Sequence, residues 1–319
     1  MADADALERV IEQITKEVGV PDILFNMLIV SACGGNATAL PPTVTTAPPT
    51  AAPTSAPAAT PSTTGPTPTV LSGAGDITAV VEQYRSLLGL DNGGEPGARL
   101  TGFREISWDG VPDEVAAPNN YISDFFNAAQ APRARGIVLS TPGTALQVSA
   151  NADNPSGALP RFGHINPAYA DIFKTFSAER LFSPVGSNSV DATFFVPGTQ
   201  TPALVRGFGA VYTDVDQEHT AFEYFDKDGN SLGNFPVPIA DNGLSFLGVA
   251  FEQPVVARVR IEYGTAALGP DNDASNDVAV MDNFIYGEPQ AADPAAAAQA
   301  SPQPTGPSFA LVESPINRD

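Results

Sequence analysis

Residues 258–263 read Arg-Val-Arg-Ile-Glu-Tyr, and this stretch decides the fold class. Its apolar side chains occupy alternate positions, as in a strand with one face on a core and the other in water. Short segments separated by Gly, Pro, Asn and Asp extend this pattern in both directions along the chain. They predict strands over 103–108, 136–140, 145–150, 191–196, 203–213, 221–226, 231–237, 245–251, 257–263 and 278–286.

No long helical pattern separates these strands, so a parallel sheet with crossover helices is not expected. We therefore predict an all-β fold for residues 76–290, an antiparallel jelly-roll β-sandwich. Asp76 is predicted to cap a short helix over 77–88 that ends at Gly89. Residues 226–230, Asp-Lys-Asp-Gly-Asn, lie between two predicted strands and predict a hairpin turn.

The segment before the sandwich has a different composition. Residues 1–20 predict an amphipathic helix, and an apolar run over 23–30 leads to Ser-Ala-Cys-Gly-Gly at 31–35. These small residues around Cys33 resemble the lipobox of bacterial lipoproteins, which implies that Cys33 is lipidated. An ordinary buried cysteine is the alternative interpretation.

Residues 36–75 are rich in Pro, Thr and Ala, so they cannot bury enough apolar surface to fold. We predict a disordered linker, which in extended form spans on the order of 100 Å. The Ala- and Pro-rich residues 291–319 predict a disordered tail. The chain is thus expected to carry its sandwich on a stalk.

Composition excludes several classes of function. Acidic residues outnumber basic ones 36 to 15, a net charge of −21, so a nucleic acid partner is not expected. One cysteine excludes an intramolecular disulfide framework and a metal cage built from cysteines. Two histidines leave little for a histidine-based catalytic or metal site. Carboxylate and amide oxygens remain, and calcium prefers them as ligands.

Four segments resemble a group of bacterial exported or surface-anchored jelly-roll domains that are similar to carbohydrate-binding modules. They are REISWDG at 104–110, SDFFN at 123–127, GFGAVYTDVD at 207–216 and MDNFIYGE at 281–288. The resemblance covers about residues 77–290, and it implies export and a sandwich fold. Most members of this group lack an assigned activity. Sandwiches of this kind often hold calcium near their first and last strands, which implies Asp109, Asp277 and Asp282 as ligands.

Asp282 lies within the last predicted strand, and alternation places its carboxylate among apolar side chains. Such a carboxylate is costly to bury unless it is hydrogen-bonded or bound to a cation. Calcium is one interpretation. A β-bulge or local hydrogen bonds are the other. A second acidic group, predicted to be a solvated loop, comprises Asp214, Asp216 and Glu218.

Aromatic side chains are the usual platforms of sugar-binding sites, and the candidates here are Trp108, Tyr121, Tyr169 and Tyr212. Packing in the core with a hydrogen-bonded polar tip is the alternative. The sequence contains no Gly-x-Ser-x-Gly, His-Glu-x-x-His or phosphate-binding glycine loop. No catalytic residue is therefore assigned.

These observations predict a non-enzymatic protein, secreted or at the cell surface and lipid-anchored, that displays an adhesive or structural sandwich on its stalk. Three alternatives stay open: a calcium-dependent carbohydrate-binding module, a subunit of a larger surface assembly, and a glycoside hydrolase. The expected partners are the cell envelope, a glycan or other proteins. Membrane contact is expected only through the lipid anchor.

Overall fold

The computed structural model describes residues 66–273, 275–293 and 295. It confirms the predicted antiparallel β-sandwich, with two short α-helices, α1 (Thr78–Leu88) and α2 (Tyr169–Ile172), and a 3-10 turn at Asp113–Val115. The strands are β1 (Thr69–Ala74), β2 (Phe103–Ile106), β3 (Ile137–Ser140), β4 (Ala145–Val148), β5 (Phe182–Val185), β6 (Ser189–Phe194), β7 (Ala203–Leu204), β8 (Gly207–Val215), β9 (Ala221–Phe225), β10 (Ser231–Pro236), β11 (Ala240–Ala250), β12 (Arg258–Glu262), β13 (Val280–Gly287) and β14 (Gln290–Ala291).

The strands form two main sheets. One sheet has seven strands in the order β1-β11-β8-β13-β5-β4, with β2 paired to β13. The other has five strands in the order β10-β9-β12-β6-β3, and β7 pairs with β14 in a small ribbon. The strands of the five-stranded sheet come from within residues 137–262, and those of the seven-stranded sheet lie before, between and after them, so the sandwich is one folding unit.

Aromatic rings from the two sheets meet in the core. Phe208 of β8 contacts Phe222 of β9 with ring centroids 5.3 Å apart, and Phe194 of β6 lies 5.5 Å from Tyr286 of β13. Such ring pairs bury large apolar areas and add specific edge or tilted contacts. Residues 258–262 form a strand as the alternating pattern predicts, and their two aliphatic side chains, Val259 and Ile261, are buried in this core.

Helix α1 covers the outer face of the seven-stranded sheet. The ring of Tyr84 lies on three glycines, Gly207 and Gly209 of β8 and Gly248 of β11, where an added Cβ would come within 2.6 to 2.9 Å of the tyrosine. The Tyr84 hydroxyl donates to the carbonyl of Val249 at 3.0 Å. Glycine in a strand often marks a close approach of this kind.

The predicted ends of α1 are confirmed within one residue. A carboxylate oxygen of Asp76 accepts from the Thr78 amide at 3.1 Å, and the Gly89 amide donates to the Arg85 carbonyl at 3.0 Å. Gly89 has a φ of 115°, which suits glycine. Strand β1 lies within the predicted linker over 36–75, so the end of that segment belongs to the sheet.

Several predictions fall on residues that the structure leaves undescribed. These are the helix over 1–20, Cys33, the linker up to residue 65 and most of the tail over 291–319. Within the described part, no helix is long and apolar enough to cross a membrane.

Among the differences between the predicted and observed strands, three concern β5, the β7–β8 segment and β11. Strand β5 was not predicted, because Pro184 interrupts its short pattern and proline argues against a strand. The predicted strand over 203–213 is divided into β7 and β8. Strand β11 begins five residues earlier than predicted, at Ala240, since its first residues form an irregular pairing with β8.

Strand β13 contains a bulge that changes which side chains share a face. Met281 pairs with Tyr212 and Phe284 pairs with Ala210, so three steps on β13 oppose two on β8. Met281, Phe284 and Tyr286 therefore face the main core, whereas Val280 and Ile285 join separate apolar clusters. Uninterrupted alternation, which places Val280, Asp282 and Phe284 on one face, is wrong for that reason, and Asp282 lies within the bulge.

A buried ion pair joins β2 to the end of β13. The guanidinium of Arg104 contacts both carboxylate oxygens of Glu288 at 2.8 Å, and the two side chains are 0% and 2% exposed. The remaining donors of Arg104 bond backbone carbonyls at 2.7 to 3.2 Å, namely those of Gly93, Glu95, Gly97 and Ala134.

We expect Glu288→Ala to lower the free energy of unfolding by about 3–5 kcal/mol, because it leaves a buried guanidinium charge without its partner. Urea denaturation measures the change. Asp228→Ala is the control, since it removes only the solvent-exposed pair with Lys227 and should leave the midpoint unchanged. Equal midpoints for the two variants would contradict a structural role for the buried pair.

Candidate metal centre

Three carboxylates meet where β8 ends and β11 begins. Asp214 is the penultimate residue of β8, Asp216 follows that strand, and Asp241 is the second residue of β11. One oxygen from each lies within 4.8 Å of the other two. The pairing of Val215 with Ala240 brings these residues together across the sheet. The sequence predicts a solvated loop for Asp214, Asp216 and Glu218, and it offers no reason to place Asp241 with them.

An irregularity in β11 shapes this acidic group. Thr213 pairs with Leu244 and Val215 with Ala240, so residues 241–243 bulge out of the ladder. Asn242 within the bulge and Asp214 opposite it have φ values of 51° and 64°, in the left-handed region. The Asn242 amide donates to Asp214 Oδ1 at 2.8 Å. The bulge therefore closes around the Asp214 carboxylate.

Burial and mutual repulsion both raise pKa values in the acidic group, although the charge of Lys174 lowers that of Asp214. Burial raises the pKa of Asp214, although amide donors from Asn242 and Asn272 oppose this rise. Burial also raises the pKa of Asp216 to about 6, with further contributions from the charges of Asp214, Asp277 and Asp241. Asp216 Oδ1 is buried and has no hydrogen-bond partner within the described part of the chain.

This arrangement has the ligand type and spacing to bind a metal ion. Carboxylate oxygens are the preferred ligands of hard cations such as calcium, which takes six to eight oxygens. Asp214 is buried, Asp216 is half-buried and Asp241 is exposed, so the group opens to solvent on one side. A cation bound here would offset the repulsion among the three carboxylates.

The three ligands predicted by resemblance occupy two different places. Asp277 lies beside the acidic group, where its Oδ2 accepts from the Gln217 amide at 3.0 Å. Asp109 and Asp282 lie near each other instead, at the bulge of β13, where the charge of Asp109 raises the pKa of Asp282. The structure therefore does not join all three residues in a single site.

Asp282 is satisfied by hydrogen bonds from one segment. Its Oδ2 accepts from the amides of Phe176 at 2.6 Å and Ser177 at 3.2 Å, and its Oδ1 accepts from the Ser177 hydroxyl at 2.9 Å. Burial raises the pKa of Asp282 well above its usual value, and the charge of Asp109 adds to the effect. A bulge with local hydrogen bonds, one of the two interpretations from sequence, describes this residue.

Asp109 lies against the same segment. Its Oδ1 accepts from the Arg180 amide at 3.1 Å. Burial raises its pKa to about 6, and hydrogen bonds from Arg180, Ser177 and Ser107 oppose that rise. Asp109 and Asp282 together hold residues 176–180 against the sandwich.

The aromatic platform candidates are packed inside the fold. Trp108 stacks on Phe182 with centroids 4.4 Å apart, and its indole N–H donates to the Asp282 carbonyl at 2.7 Å. Tyr169 and Tyr212 are fully buried, and Tyr121 is 6% exposed. These rings present no open face to a sugar. Among the described residues, the exposed large apolar side chains are aliphatic, namely Val70, Leu90, Leu100, Leu159 and Ile239.

The predicted hairpin turn at 226–230 is confirmed. Asp226 Oδ1 accepts from the amides of Asp228 at 2.9 Å and Asn230 at 2.8 Å, and its Oδ2 accepts from the Asn230 side chain at 3.0 Å. The acidic residue therefore stabilises the turn between β9 and β10 through its own loop.

No protein-family model and no curated protein matches this chain. Among solved structures, it is similar to the enzymatically active domain of bacteriophage CBA120 tailspike protein 4, with 14% identity, a TM-score of 0.26 and coverage of 53% of this chain and 21% of that one. A two-domain protein of unknown function from Bacteroides fragilis gives 14% identity, a TM-score of 0.21 and 47% coverage of each chain. The chain thus spans about a fifth and about half of these two proteins.

A third similar structure is TmCBM61 in complex with β-1,4-galactotriose. It is 13% identical, with a TM-score of 0.23, over 53% of this chain and 94% of that chain. These distant similarities assign no activity to the present chain.

We expect Asp109→Asn to stabilise the protein at neutral pH by on the order of 1–2 kcal/mol. The wild-type fold holds a proton on Asp109 up to about pH 6, whereas the unfolded chain releases it near 3.8. Wild-type stability therefore falls as pH rises through this window, and the variant lacks that loss. Urea denaturation at about pH 4 and about pH 8 measures the difference.

The two proteins should differ at the higher pH and converge at the lower one. Asp153→Asn, at an exposed position, is the control and should match wild type at both. A variant less stable than wild type at about pH 8 would show that the ionised Asp109 carboxylate is favourable in the fold.

Proposed function

We propose that this chain is a non-enzymatic protein, secreted or at the cell surface, whose β-sandwich binds calcium and has an adhesive or structural role. The group formed by Asp214, Asp216 and Asp241 carries the proposal, because three carboxylate oxygens lie within 4.8 Å of one another. A fold does not itself determine function, so the argument rests on this site.

Calcium suits the acidic group better than a softer metal does. The ligands are hard oxygen donors, and no described cysteine or histidine belongs to the group. Three carboxylates, one of them exposed, supply only part of a calcium coordination shell. Calcium sites in extracellular modules bind weakly, with Kd values of about 10⁻⁴–10⁻³ M, so such a site fills where calcium is abundant. This agrees with an exported protein.

Export and anchoring are supported by the sequence that precedes the sandwich. Cys33 follows an apolar run and small residues, and a Pro/Thr-rich segment separates it from β1. We propose that Cys33 carries the lipid and that this segment holds the sandwich away from the membrane. Mass spectrometry of the protein from its source tests the lipid, and an intact N-terminus with a free Cys33 thiol would contradict it.

A non-enzymatic role is supported by the environment of Asp109 and Asp282, the two carboxylates near the bulge of β13. Glycoside hydrolysis needs two carboxylates on either side of a sugar bond. Asp282 is fully buried and bonded to residues 176 and 177, and Asp109 lies against the same segment. These hydrogen bonds hold both carboxylates against the protein's own backbone, which does not favour hydrolysis at this pair.

A calcium-dependent carbohydrate-binding module is a second candidate, favoured by the exposure of Asp241. A partly open calcium ion has coordination positions left for oxygens of a ligand, such as sugar hydroxyls. Because Trp108 and the candidate tyrosines are buried, such a module would hold its glycan through the ion and polar groups, without aromatic stacking.

We expect calcium to raise the Tm of the full chain and EDTA to reverse the rise. An ion that binds only the folded state adds about 2.7 kcal/mol at a concentration about 100-fold above Kd. Asp216→Asn should remove most of the response. Asp228→Asn, in the hairpin turn, is the matched control and should respond as wild type does. A wild-type Tm that is unchanged by calcium would refute the calcium site.

A glycan array, run in calcium and again in EDTA, separates the two functions. Binding that requires calcium and is lost in Asp216→Asn would support the carbohydrate-binding module. If calcium raises the Tm but no glycan binds, we expect a structural or protein-adhesive role and protein partners.

A further inference from the structure

We infer that Asp277 is a fourth carboxylate ligand of this calcium site, so that the bound ion fastens the loop between β12 and β13 to β8 and β11. The inference rests on the proposed calcium site and adds a ligand and a structural consequence to it. The loop comprises residues 263–279, of which residue 274 is undescribed.

The first observation is an unsatisfied buried oxygen. The side chain of Asp277 is 0% exposed, and its Oδ1 has no hydrogen-bond partner among the described residues. Buried polar atoms are almost always paired, and an unpaired carboxylate oxygen is especially unfavourable. A cation in contact with Oδ1 would remove this penalty.

The second observation is the position of Asp277 beside the three other carboxylates. Its Oδ2 accepts from the amide of Gln217 at 3.0 Å, and hydrogen bonding from the Asp216 amide also lowers the pKa of Asp277. The charge of Asp277 contributes to the raised pKa of Asp216, and the charge of Asp214 contributes to that of Asp277. Asp216 and Asp277 each have an unpaired buried oxygen, so one cation between them would satisfy both.

Close packing holds Asp277 in this position. Gly264, with a φ of 51°, lies so near that an added Cβ would stand 2.2 Å from the Asp277 carbonyl oxygen and 3.0 Å from its Cγ. The Asp277 amide donates to the Thr265 hydroxyl at 3.0 Å, and its carbonyl accepts from the Thr265 amide at 2.9 Å. These contacts fix the backbone of Asp277 beside the acidic group. Its carboxylate is not one of the three whose oxygens lie within 4.8 Å of one another, so we expect it to move toward them when the ion binds.

The loop already contacts the acidic group through one side chain. Asn272 donates to Asp214 Oδ2 at 2.8 Å and accepts from the Val278 amide at 3.1 Å. A calcium ion held by Asp214, Asp216, Asp241 and Asp277 would add a link from the end of the loop to both strands. Calcium would then suppress opening of the loop, in addition to stabilising the whole fold.

Terbium luminescence tests the ligand assignment on the full chain. Tyr169 lies close enough to the site for the charge of Asp214 to contribute to its raised pKa, so it can transfer excitation energy to a bound terbium ion. Wild type, Asp277→Asn and Asp273→Asn are titrated with terbium, and calcium is then used to displace it. Asp273 is the matched control, since it is exposed in the same loop and its Oδ1 accepts from groups of that loop, at Ser275 and Asn276.

We expect Asp277→Asn to weaken terbium and calcium binding by about 10-fold or more, and Asp273→Asn to bind within about 2-fold of wild type. Without metal, Asp277→Asn should have a Tm equal to or above that of wild type, because it removes an unpaired buried charge while its amide oxygen can still accept from Gln217. Wild-type affinity in Asp277→Asn would overturn the inference and leave a three-carboxylate site. Absence of binding in wild type would overturn the proposed site as well.

Hydrogen exchange of the wild-type chain gives a test that needs no variant. Calcium should slow exchange of the Gln217 amide and of amides in residues 263–279 more than it slows those of β3 and β6, which lie in the other sheet. Equal slowing everywhere would show that the ion does not fasten the loop.

Discussion

Arg104 and Glu288 form an ion pair that is buried away from solvent. The pair lies where β2 and the end of β13 meet two connecting segments, around residues 93–99 and residue 134. Glu288 also accepts from the Asn92 side chain and the Arg99 amide, both at 2.9 Å. A buried ion pair is tolerated only when nearly all of its donors and acceptors are used, as they are here. The pair therefore fixes where β2 lies along β13. Trp108 and Asp109 come shortly after β2 in the chain. The position of β2 therefore also determines where the Trp108 indole enters the core and where Asp109 meets Asp282.

The parts of the fold that sequence predicted are those with a local signal. Alternation over 258–263, the capped helix over 77–88 and the turn at 226–230 each depend on residues within a few positions of one another. The bulge in β13 has no such signal, because it exists only in relation to the partner strand β8. One extra residue there reverses which side chains face the core beyond the bulge. The sequence therefore predicts the strand correctly and the core-facing side chains of its second half incorrectly.

The acidic group also depends on strand pairing that has no local sequence signal. Asp241, Asn242 and Gly243 form a recognisable turn signal, but only the register of β8 with β11 shows that this turn closes on Asp214. The resemblance implied Asp277 as a metal ligand together with Asp109 and Asp282, and those two residues lie elsewhere in the structure. For Asp282 the sequence correctly required compensation of a buried carboxylate and could not decide between a cation and hydrogen bonds. The fold supplies the hydrogen bonds through residues 176 and 177.

Strand β1 has a mechanical consequence. It is the edge of the seven-stranded sheet and pairs only with β11, from Thr69 opposite Ala250 to Ala74 opposite Ser245. All of residues 1–68 precede it in the chain, so any pulling force that arrives from the N-terminal side loads this six-residue ladder before it reaches α1 or the core. Under such a force, the resistance of the sandwich depends first on how β1 detaches from β11, and next on the packing of Tyr84 against its three glycines.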